Sequence, residues 1–600
     1  MPHVDGHSTD PFWIQNDRTP SESPLDSLTQ QELESRMAGD YLIEKLELKS
    51  PNVDMPINLA PVYDTVSIYE DISKPYLLMD IALVESFGLR ELIPIIGEEF
   101  VEIVAATRGL IAGQGSPQNN KFDGIIQKVF RVTSVSPIVS KNDRIKQYVL
   151  HCSSVEAIIN EKTRVSRGYL ETEISRVVRD IYEKEIIAEL TETYGSYIGT
   201  ERIKPIVIEP TDGIHNFAFP FKKPFDIMDD LAEKAVSADV EEAENVNPDT
   251  QGDVPPVKQT GGALFMFYET LSNFRFESLE TIYKRDPKRR IYAKPMPVTR
   301  DNATMTSFNT AMEYEIDGLF DVVENLRAGM YASKLITHDS VRMRYDITGY
   351  SYILRNNEPI EQESPDDGMV TQMQLGGATP ESSVKKVDDF TLSLARDGHA
   401  GKLCTDRNDL LLDKDNGERC KIKFMATDFN HAYMYERNRK KGGGGAETGI
   451  KENNLERRVQ VRDSQLQQLD NIKITLRMYG DSSLRVGEII WFYAPSQSVQ
   501  EGQEEESDKF ISGKFIVTKI QHNFTIDAYT MNVQIRKDAW YSDPPAFNPE
   551  LNQNAQMSNT SKKELQNQRL GVQETTLTSE GSDNNLTPNN VDGGATGVIP

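Results

Sequence analysis

The chain has 600 residues, 66 Lys and Arg against 93 Asp and Glu, and a formal net charge of −27. A single hydrophobic core stops growing at about 250–300 residues, so several folded units are expected. Acid surplus on this scale argues against nucleic acid or an anionic membrane as the main partner, because phosphate attraction needs positive faces.

The apolar fraction is 38%, with 38 Gly besides, close to the globular average of about 45–50%. Folded units interrupted by polar insertions follow. Cys152, Cys404 and Cys420 are an odd set without a C-x-x-C pair. They read as two buried thiols and one partly exposed, in a protein assembled in a reducing compartment. No apolar run reaches the roughly 18 residues of a membrane span. Met1-Pro-His-Val-Asp-Gly-His lacks the basic and apolar regions of a signal peptide.

In chain order, residues 1–38 are rich in Ser, Pro, Asp and Gln and are expected to form a loose arm, with one short helix near 25–33. Strands are predicted at 41–48, 62–70, 77–85, 99–107, 122–135 and 147–153. In the third, Leu77, Met79, Ile81 and Leu83 recur at period two on one face. Strands with scarcely a helix among them suggest a first barrel over 39–155. The period then changes. Ile174, Val177, Val178, Ile181 and Tyr182 form one face of a helix, and Pro224 opens a second helix. Residues 239–256 are an acidic exposed loop, and 264–268 with 274–278 read as a hairpin. Residues 156–300 are therefore an α/β domain.

Residues 312–346 alternate as strands around a helix at 319–326. Residues 351–462 are a polar insertion with a flexible Gly-rich stretch at 436–449. Strands at 472–478, 489–493, 510–520 and 529–537, joined by turns such as Met478-Tyr-Gly-Asp-Ser-Ser-Leu-Arg-Val-Gly487, make a small antiparallel barrel. They complete a second, split barrel of 301–350 plus 463–545. Residues 546–600 are Asn-, Gln-, Ser- and Thr-rich and are expected to be disordered. The fold class is α+β and β-dominated.

The order of these words resembles a family. The Gly-Asp-Ser turn leading to Val-Gly-Glu, then Ser512-Gly-Lys-Phe-Ile-Val-Thr-Lys-Ile-Gln-His522, then Tyr529-Thr-Met-Asn-Val-Gln-Ile-Arg-Lys-Asp538, is similar to the closing barrel of baseplate hub proteins of contractile phage tails and related injection machines. Ile43-Glu-Lys-Leu-Glu-Leu, Ser67-Ile-Tyr-Glu-Asp-Ile72, Leu92-Ile-Pro-Ile-Ile-Gly-Glu-Glu99 and Tyr148-Val-Leu-His-Cys resemble the family's opening domain. Pro220–Ala232 with 265–269 and 276–280 resembles its second. The likeness covers 40–350 and 460–545.

It implies two tail-tube-like barrels with an α/β domain between them, and a homotrimer whose six barrels adapt a hexameric tail tube to a trimeric central spike. The implied partners are that spike, the tail tube or a tube-initiator protein, and baseplate wedge proteins. DNA would pass through without specific binding, and the location would be the tail baseplate of a virion. A phage-like secretion or tailocin injector is the alternative assembly, and a tail-associated cell-wall hydrolase the alternative class.

Motifs for chemistry fail one by one. Gly513-Lys514 and Gly401-Lys402 are followed by Phe515 and Leu403, so neither is a phosphate loop. Gly480-Asp-Ser-Ser-Leu484 lacks the second Gly of a nucleophile elbow and reads as a hairpin turn. His3 and His7 share i, i+4 spacing but lie in the arm, where solvation outweighs metal binding. His151 and Cys152 are adjacent in a strand and point to opposite faces. His215, His338, His399, His431 and His522 lack partners at zinc-site spacing. The Glu98-Glu99 pair, taken as adjacent strand residues, points apart.

Lys284-Arg-Asp-Pro-Lys-Arg-Arg290 is the one dense basic run. It reads as a solvated interdomain loop, with contact to an acidic partner or to DNA as the alternatives. No catalytic, cofactor-binding or metal-binding residue is assigned, no interface residue is named, and no enzymatic activity is expected.

Overall fold

A computed structural model describes residues 13–14, 39–107, 124–237, 264–293, 308–351, 421–426, 455–495 and 508–538, breaks of up to five residues within these ranges aside. The chain divides into residues 1–543 and 544–600, and the second unit contains no described residue. The predicted arm helix at 25–33, the acidic loop 239–256, the Gly-rich stretch 436–449, the 546–600 tail, Cys404, Cys420, His3, His7, His399 and His431 all lie outside the described residues.

The strands in chain order are β1 (Trp13–Ile14), β2 (Tyr41–Lys49), β3 (Ile57–Asn58), β4 (Tyr63–Asp71), β5 (Leu78–Glu85), β6 (Phe100–Thr107), β7 (Ile125–Val135), β8 (Val139–Ser140) and β9 (Lys146–Ser154). Helix α1 (Val155–Lys162) leads to β10 (Val165–Thr172). Helix α2 (Ile174–Ile181) then runs through a π turn (Tyr182–Ile187) into α3 (Ala188–Ile198). Next come β11 (Ile206–Ile208), β12 (His215–Lys222), α4 (Pro224–Ala232), β13 (Phe265–Glu269), β14 (Phe274–Ser278), α5 (Leu279–Lys284) and β15 (Arg289–Tyr292). The remainder is β16 (Ala311–Gly318), α6 (Val322–Ala328), β17 (Ala332–Asp339), β18 (Arg344–Ser351), β19 (Ile422–Ala426), α7 (Leu455–Leu469), β20 (Ile472–Tyr479), β21 (Ile489–Tyr493), β22 (Gly513–Thr525) and β23 (Tyr529–Lys537).

The protein is β-dominated, and its centre is one 14-stranded sheet with the path β16-β20-β23-β22-β4-β5-β9-β7-β6-β2-β3. Strand β22 is the reason one sheet exists rather than two. Its first residues pair with β21 (Phe492↔Gly513 to Ile489↔Ile516) and its later ones with β4 (Lys519↔Asp71 to Thr525↔Thr65). Its other edge carries β23 from Ile516↔Arg536 to Phe524↔Tyr529. The C-terminal half nearly closes on itself, since β15 pairs parallel with β21 and Tyr292 bridges Thr310 at the entry to β16.

Period-two alternation places Leu46, Ile68 and Met79 of the N-terminal half in the same core as Ile474, Phe515 and Val533 of the C-terminal half. Strand β6 is buried along its whole length. Val101, Ile103 and Ala105 face that core, while Phe100 on the other face joins the helical core of Val177, Ile181 and Phe274. An apolar run with little alternation follows from burial on both faces.

Four expectations need correction. Trp13–Ile14, placed in the loose arm, pairs antiparallel with β11. Of residues 301–350, only β16 joins the large sheet; β17 and β18 form a separate three-stranded sheet with β19. That strand comes from the stretch read as a polar insertion, which also supplies the start of α7. The reason is register. Strand β17 pairs in parallel with β19 from Lys334↔Ile422 to His338↔Ala426, a partner too remote in sequence for a local reading. Finally, the predicted helix at 319–326 begins later, where the Asp321 side chain accepts the Glu324 N–H, and ends at Gly329 with φ 82°.

Candidate functional site

The turn between β20 and β21 is where the parts of the molecule meet. Thr107, at the end of β6, donates its N–H to Ser482 Oγ at 2.9 Å, and Ser482 returns its own N–H to Thr107 Oγ1 at 2.9 Å. The Ser482 hydroxyl donates to the Gly124 carbonyl, just ahead of β7. Asp481 accepts Arg289 Nε of β15 at 2.8 Å and the Ser483 N–H at 2.8 Å. Burial would raise the Asp481 carboxyl, but Arg289 and the Ser483 hydrogen bonds hold it below its usual value. Two glycines make the turn possible. A Cβ on Gly480 would lie 2.0 Å from the Tyr529 ring, and one on Gly487, where φ is +80°, would lie 2.1 Å from Tyr268 Oη.

Behind this turn, buried polar groups tie the two sheet halves together. His522 on β22 meets Tyr529 Oη through Nδ1 at 2.7 Å and Glu70 on β4 through Nε2 at 3.2 Å. All three side chains are buried. On the other side, Glu277 of β14 accepts from Tyr268 Oη at 2.5 Å, from Arg275 at 3.3 Å and from Arg285. Burial alone would raise Glu277, and the two guanidinium groups bring it below the usual carboxylate range. Arg285 also donates to the Gly487 carbonyl at 3.1 Å.

A second polar centre lies beneath the helical layer. Lys128 of β7 donates to both oxygens of Glu156 on α1 at 2.8 Å and to Glu269 of β13 at 2.8 Å. Lys204 reaches the same Glu269 at 2.7 Å, and Leu77 N–H donates to its other oxygen at 3.1 Å. Two ammonium and two carboxylate groups thus neutralise one another inside the protein. The lysines shift in opposite directions for a physical reason. Burial pulls both down, but Lys128 has two carboxylates to raise it, whereas Lys204 has one close partner and Lys128 against it, and falls to about 8. Burial opposes ionisation of Glu269, yet its two ammonium partners hold it at about 2.

The structure distributes the sequence candidates as follows. The basic run crosses a short loop at residues 285–288, where Asp286 and Lys288 are exposed, and enters β15, where Arg290 is exposed. Arg289 and Arg290 begin β15, Arg285 is bound to Glu277, Lys288 to Glu488 at 2.8 Å and Arg289 to Asp481. These cations pair with carboxylates on neighbouring elements, and of those Glu277 and Asp481 are buried. The Lys284 side chain lies outside the described residues. Glu98 and Glu99 precede β6 rather than lying in it; Glu98 is exposed, and Glu99 is buried, accepting the Gly97 N–H at 2.9 Å. His151 pairs with Asp80 at 2.7 Å while Cys152 faces the core. His215 stacks on Phe217. His338 is exposed.

Among the described residues, no group of three or more His, Cys, Asp and Glu could hold a metal, and no helix is long and apolar enough to cross a membrane. Sequence reasoning missed the Lys128, Glu156, Lys204 and Glu269 centre. Its one local sign is a lone charge inside or at the end of an apolar strand, as in Ile125-Ile-Gln-Lys-Val-Phe and Phe265-Met-Phe-Tyr-Glu.

The geometry defines a β-dominated protein whose densest polar sites are buried joints between chain segments. No family model and no curated protein matches the chain. Solved structures similar to it include a tail protein from Neisseria meningitidis, at 8% identity and a TM-score of 0.37 over 83% of this chain and 97% of that one. The 43 kDa tail protein of prophage MuSo2 from Shewanella oneidensis aligns at 8% identity and a TM-score of 0.32, over 82% of this chain and 97% of that one. An Escherichia coli component of the type VI secretion system aligns at 9% identity and a TM-score of 0.30, over 84% and 79%.

Proposed function

We propose that this chain is a structural hub subunit of a contractile phage tail, in which three copies form a ring between the tail tube and a central spike. The observation that carries the proposal is the β22–β4 ladder, which makes one continuous wall out of two sheet halves. In this reading the halves are the two tube-like barrels, so a trimer presents six. The order of sequence words from Ile43 to Asp538 supports the same assignment.

The buried joints fit a load-bearing part. A stroke transmitted through a protein must not shear its segments apart, and each joint ties segments distant in sequence by hydrogen bonds that water cannot replace. The chain is proposed to be catalytically inert, with its polar groups engaged in holding backbone. The acid surplus of 27 is proposed to face the passage in part, where it repels DNA within about 8 Å at physiological salt. Engagement of Arg285, Lys288 and Arg289 with Glu277, Glu488 and Asp481 supports this, because those cations are paired with carboxylates of the same chain. The test is light scattering on the full chain co-purified with its spike protein. Three chains per spike trimer are expected; one chain per spike trimer, or turnover of peptidoglycan abolished by a point mutation, contradicts the proposal.

A further inference from the structure

Strand β1 is two residues long, yet it is the outer strand of the sheet β1-β11-β14-β13. It pairs antiparallel with β11, Trp13 opposite Ile208 and Ile14 opposite Val207. In sequence the two residues belong to Phe12-Trp-Ile14, the one apolar triplet among the first 38 residues. Aromatic and β-branched residues favour a strand, and the polar sequence on either side does not extend it. Two residues of pairing, each bond netting little against water, release easily.

The acceptor is built without the donor. Strand β11 lies in parallel register on β14, from Ile206↔Phe274 to Ile208↔Phe276. Both of its ends are pinned. The Phe274 N–H donates to the Pro205 carbonyl at 3.0 Å, and the Glu209 N–H donates to the Phe276 carbonyl at 2.9 Å. The buried Glu209 carboxylate accepts the Ser278 N–H at 2.7 Å, and Ile206 and Ile208 lie in the helical core. None of these contacts involves β1. With β1 away, β11 is a preformed open edge, which takes a strand by backbone pairing.

The donor is tethered from a distant element. The Gly39 carbonyl accepts the Tyr529 N–H of β23 at 3.0 Å, in the large sheet. The 24 residues between Ile14 and Gly39 reach up to roughly 80 Å when extended. A tether of that length brings the donor to the acceptor of an adjoining copy as well as to its own. Exchange of an identical element replaces each contact by the same contact. Tether length and local concentration, rather than contact energy, then decide which acceptor is filled.

We propose that β1 is an exchangeable strand: in the assembled protein, Trp13–Ile14 of one copy pairs with β11 of a second copy and ties the two together. The inference rests on the proposed ring, which sets a second acceptor within reach of each donor.

The test uses full-length chains carrying Cys404→Ser and Cys420→Ser, co-purified with the proposed spike partner. One chain bears Ile14→Cys and a second, differently tagged, bears Val207→Cys, so neither can close this disulfide on itself. Oxidation is expected to join the two chains at least ten-fold more than when Val4→Cys replaces Ile14→Cys. The doubly substituted chain, diluted without the spike, is expected to close within itself; failure to do so overturns the pairing and the inference with it. No interchain disulfide while light scattering still counts three chains per spike trimer overturns the inference and leaves the hub reading standing. The disulfide without the ring does the reverse, and absence of both overturns both. Should Val207→Cys unfold the chain, deletion of residues 1–20 decides the matter. The assembly is then expected to dissociate at a concentration at least ten-fold higher with thermal unfolding unchanged, and unaltered dissociation overturns the inference. A benzophenone side chain at position 207 that labels the spike rather than a second copy overturns it equally.

Discussion

The two buried polar centres do similar work by different physics. The turn around Ser482 joins segments with backbone conformation, small hydroxyls and two glycines, and its Asp481 is neutralised by a single close guanidinium. The centre around Glu269 uses four formal charges, with the Leu77 N–H and the Thr270 carbonyl completing it. A joint of the first kind fails gradually, one hydrogen bond or one clash at a time. A joint of the second kind fails at once, because removing any member leaves an uncompensated charge in the interior. The first therefore loses stability in steps and the second loses it whole.

The largest expected effect comes from the charged centre. Glu269→Gln leaves Lys128 and Lys204 sharing Glu156 alone, and should destabilise the fold by about 3–5 kcal/mol, read by denaturant unfolding. A loss below about 1 kcal/mol would mean that water enters the centre. The same carboxylate sets an acid limit. Its folded pKa is depressed from 4.5 to about 2, so its contribution is fully present above the unfolded value and is lost as pH falls from about 4.5 through about 2. Comparing wild type with Glu269→Gln across that window should show the steeper slope in wild type, the slope left in the variant coming from carboxyls such as Glu277 and Asp481.

Next in size is Gly487→Ala, which combines a left-handed backbone with a Cβ 2.1 Å from Tyr268 Oη. Strain and overpacking together should cost about 2–3 kcal/mol. Tyr268→Phe should recover part of the steric loss in the double variant, and an additive double variant would show that the hydroxyl is not the obstacle. Smaller again is Ser482→Ala, which strands the Thr107 N–H and should cost about 1–2 kcal/mol. The smallest effect is expected at exposed pairs. Lys222→Ala, removing a rim contact with Asp230, should change stability by less than about 1 kcal/mol.

The same contrast explains what could be read from the amino acids. The turn was legible because Gly480, Asp481, Ser482 and Gly487 lie within a few residues of one another and each has a local signature. So were the strands, whose period-two faces run through Leu78–Glu85 and Tyr529–Lys537. The charged centre was not, because Lys128, Glu156, Lys204 and Glu269 are brought together only by the fold. The pairing of β22 with β4 was hidden for the same reason, since Lys519 and Asp71 are remote in sequence. The split between β16 and the β17–β18 sheet depends on a partner strand at Ile422–Ala426 that no short-range pattern announces. The basic run was legible only in part: Lys288 and Arg290 are exposed, as its density suggests, while the acids that pair with Arg285, Lys288 and Arg289 lie in other elements.

The proposed function rests on continuity of the sheet as the chain's contribution to a tail assembly. An electron cryomicroscopy reconstruction of the full chain co-purified with the proposed spike partner tests that proposal most directly. The account predicts a ring of three chains in which each β22–β4 ladder lies in the wall and the passage is lined mainly by carboxylates. A single chain beside the spike, a ring with that ladder broken, or a passage lined by Arg285, Lys288, Arg289 and Arg290 would contradict it.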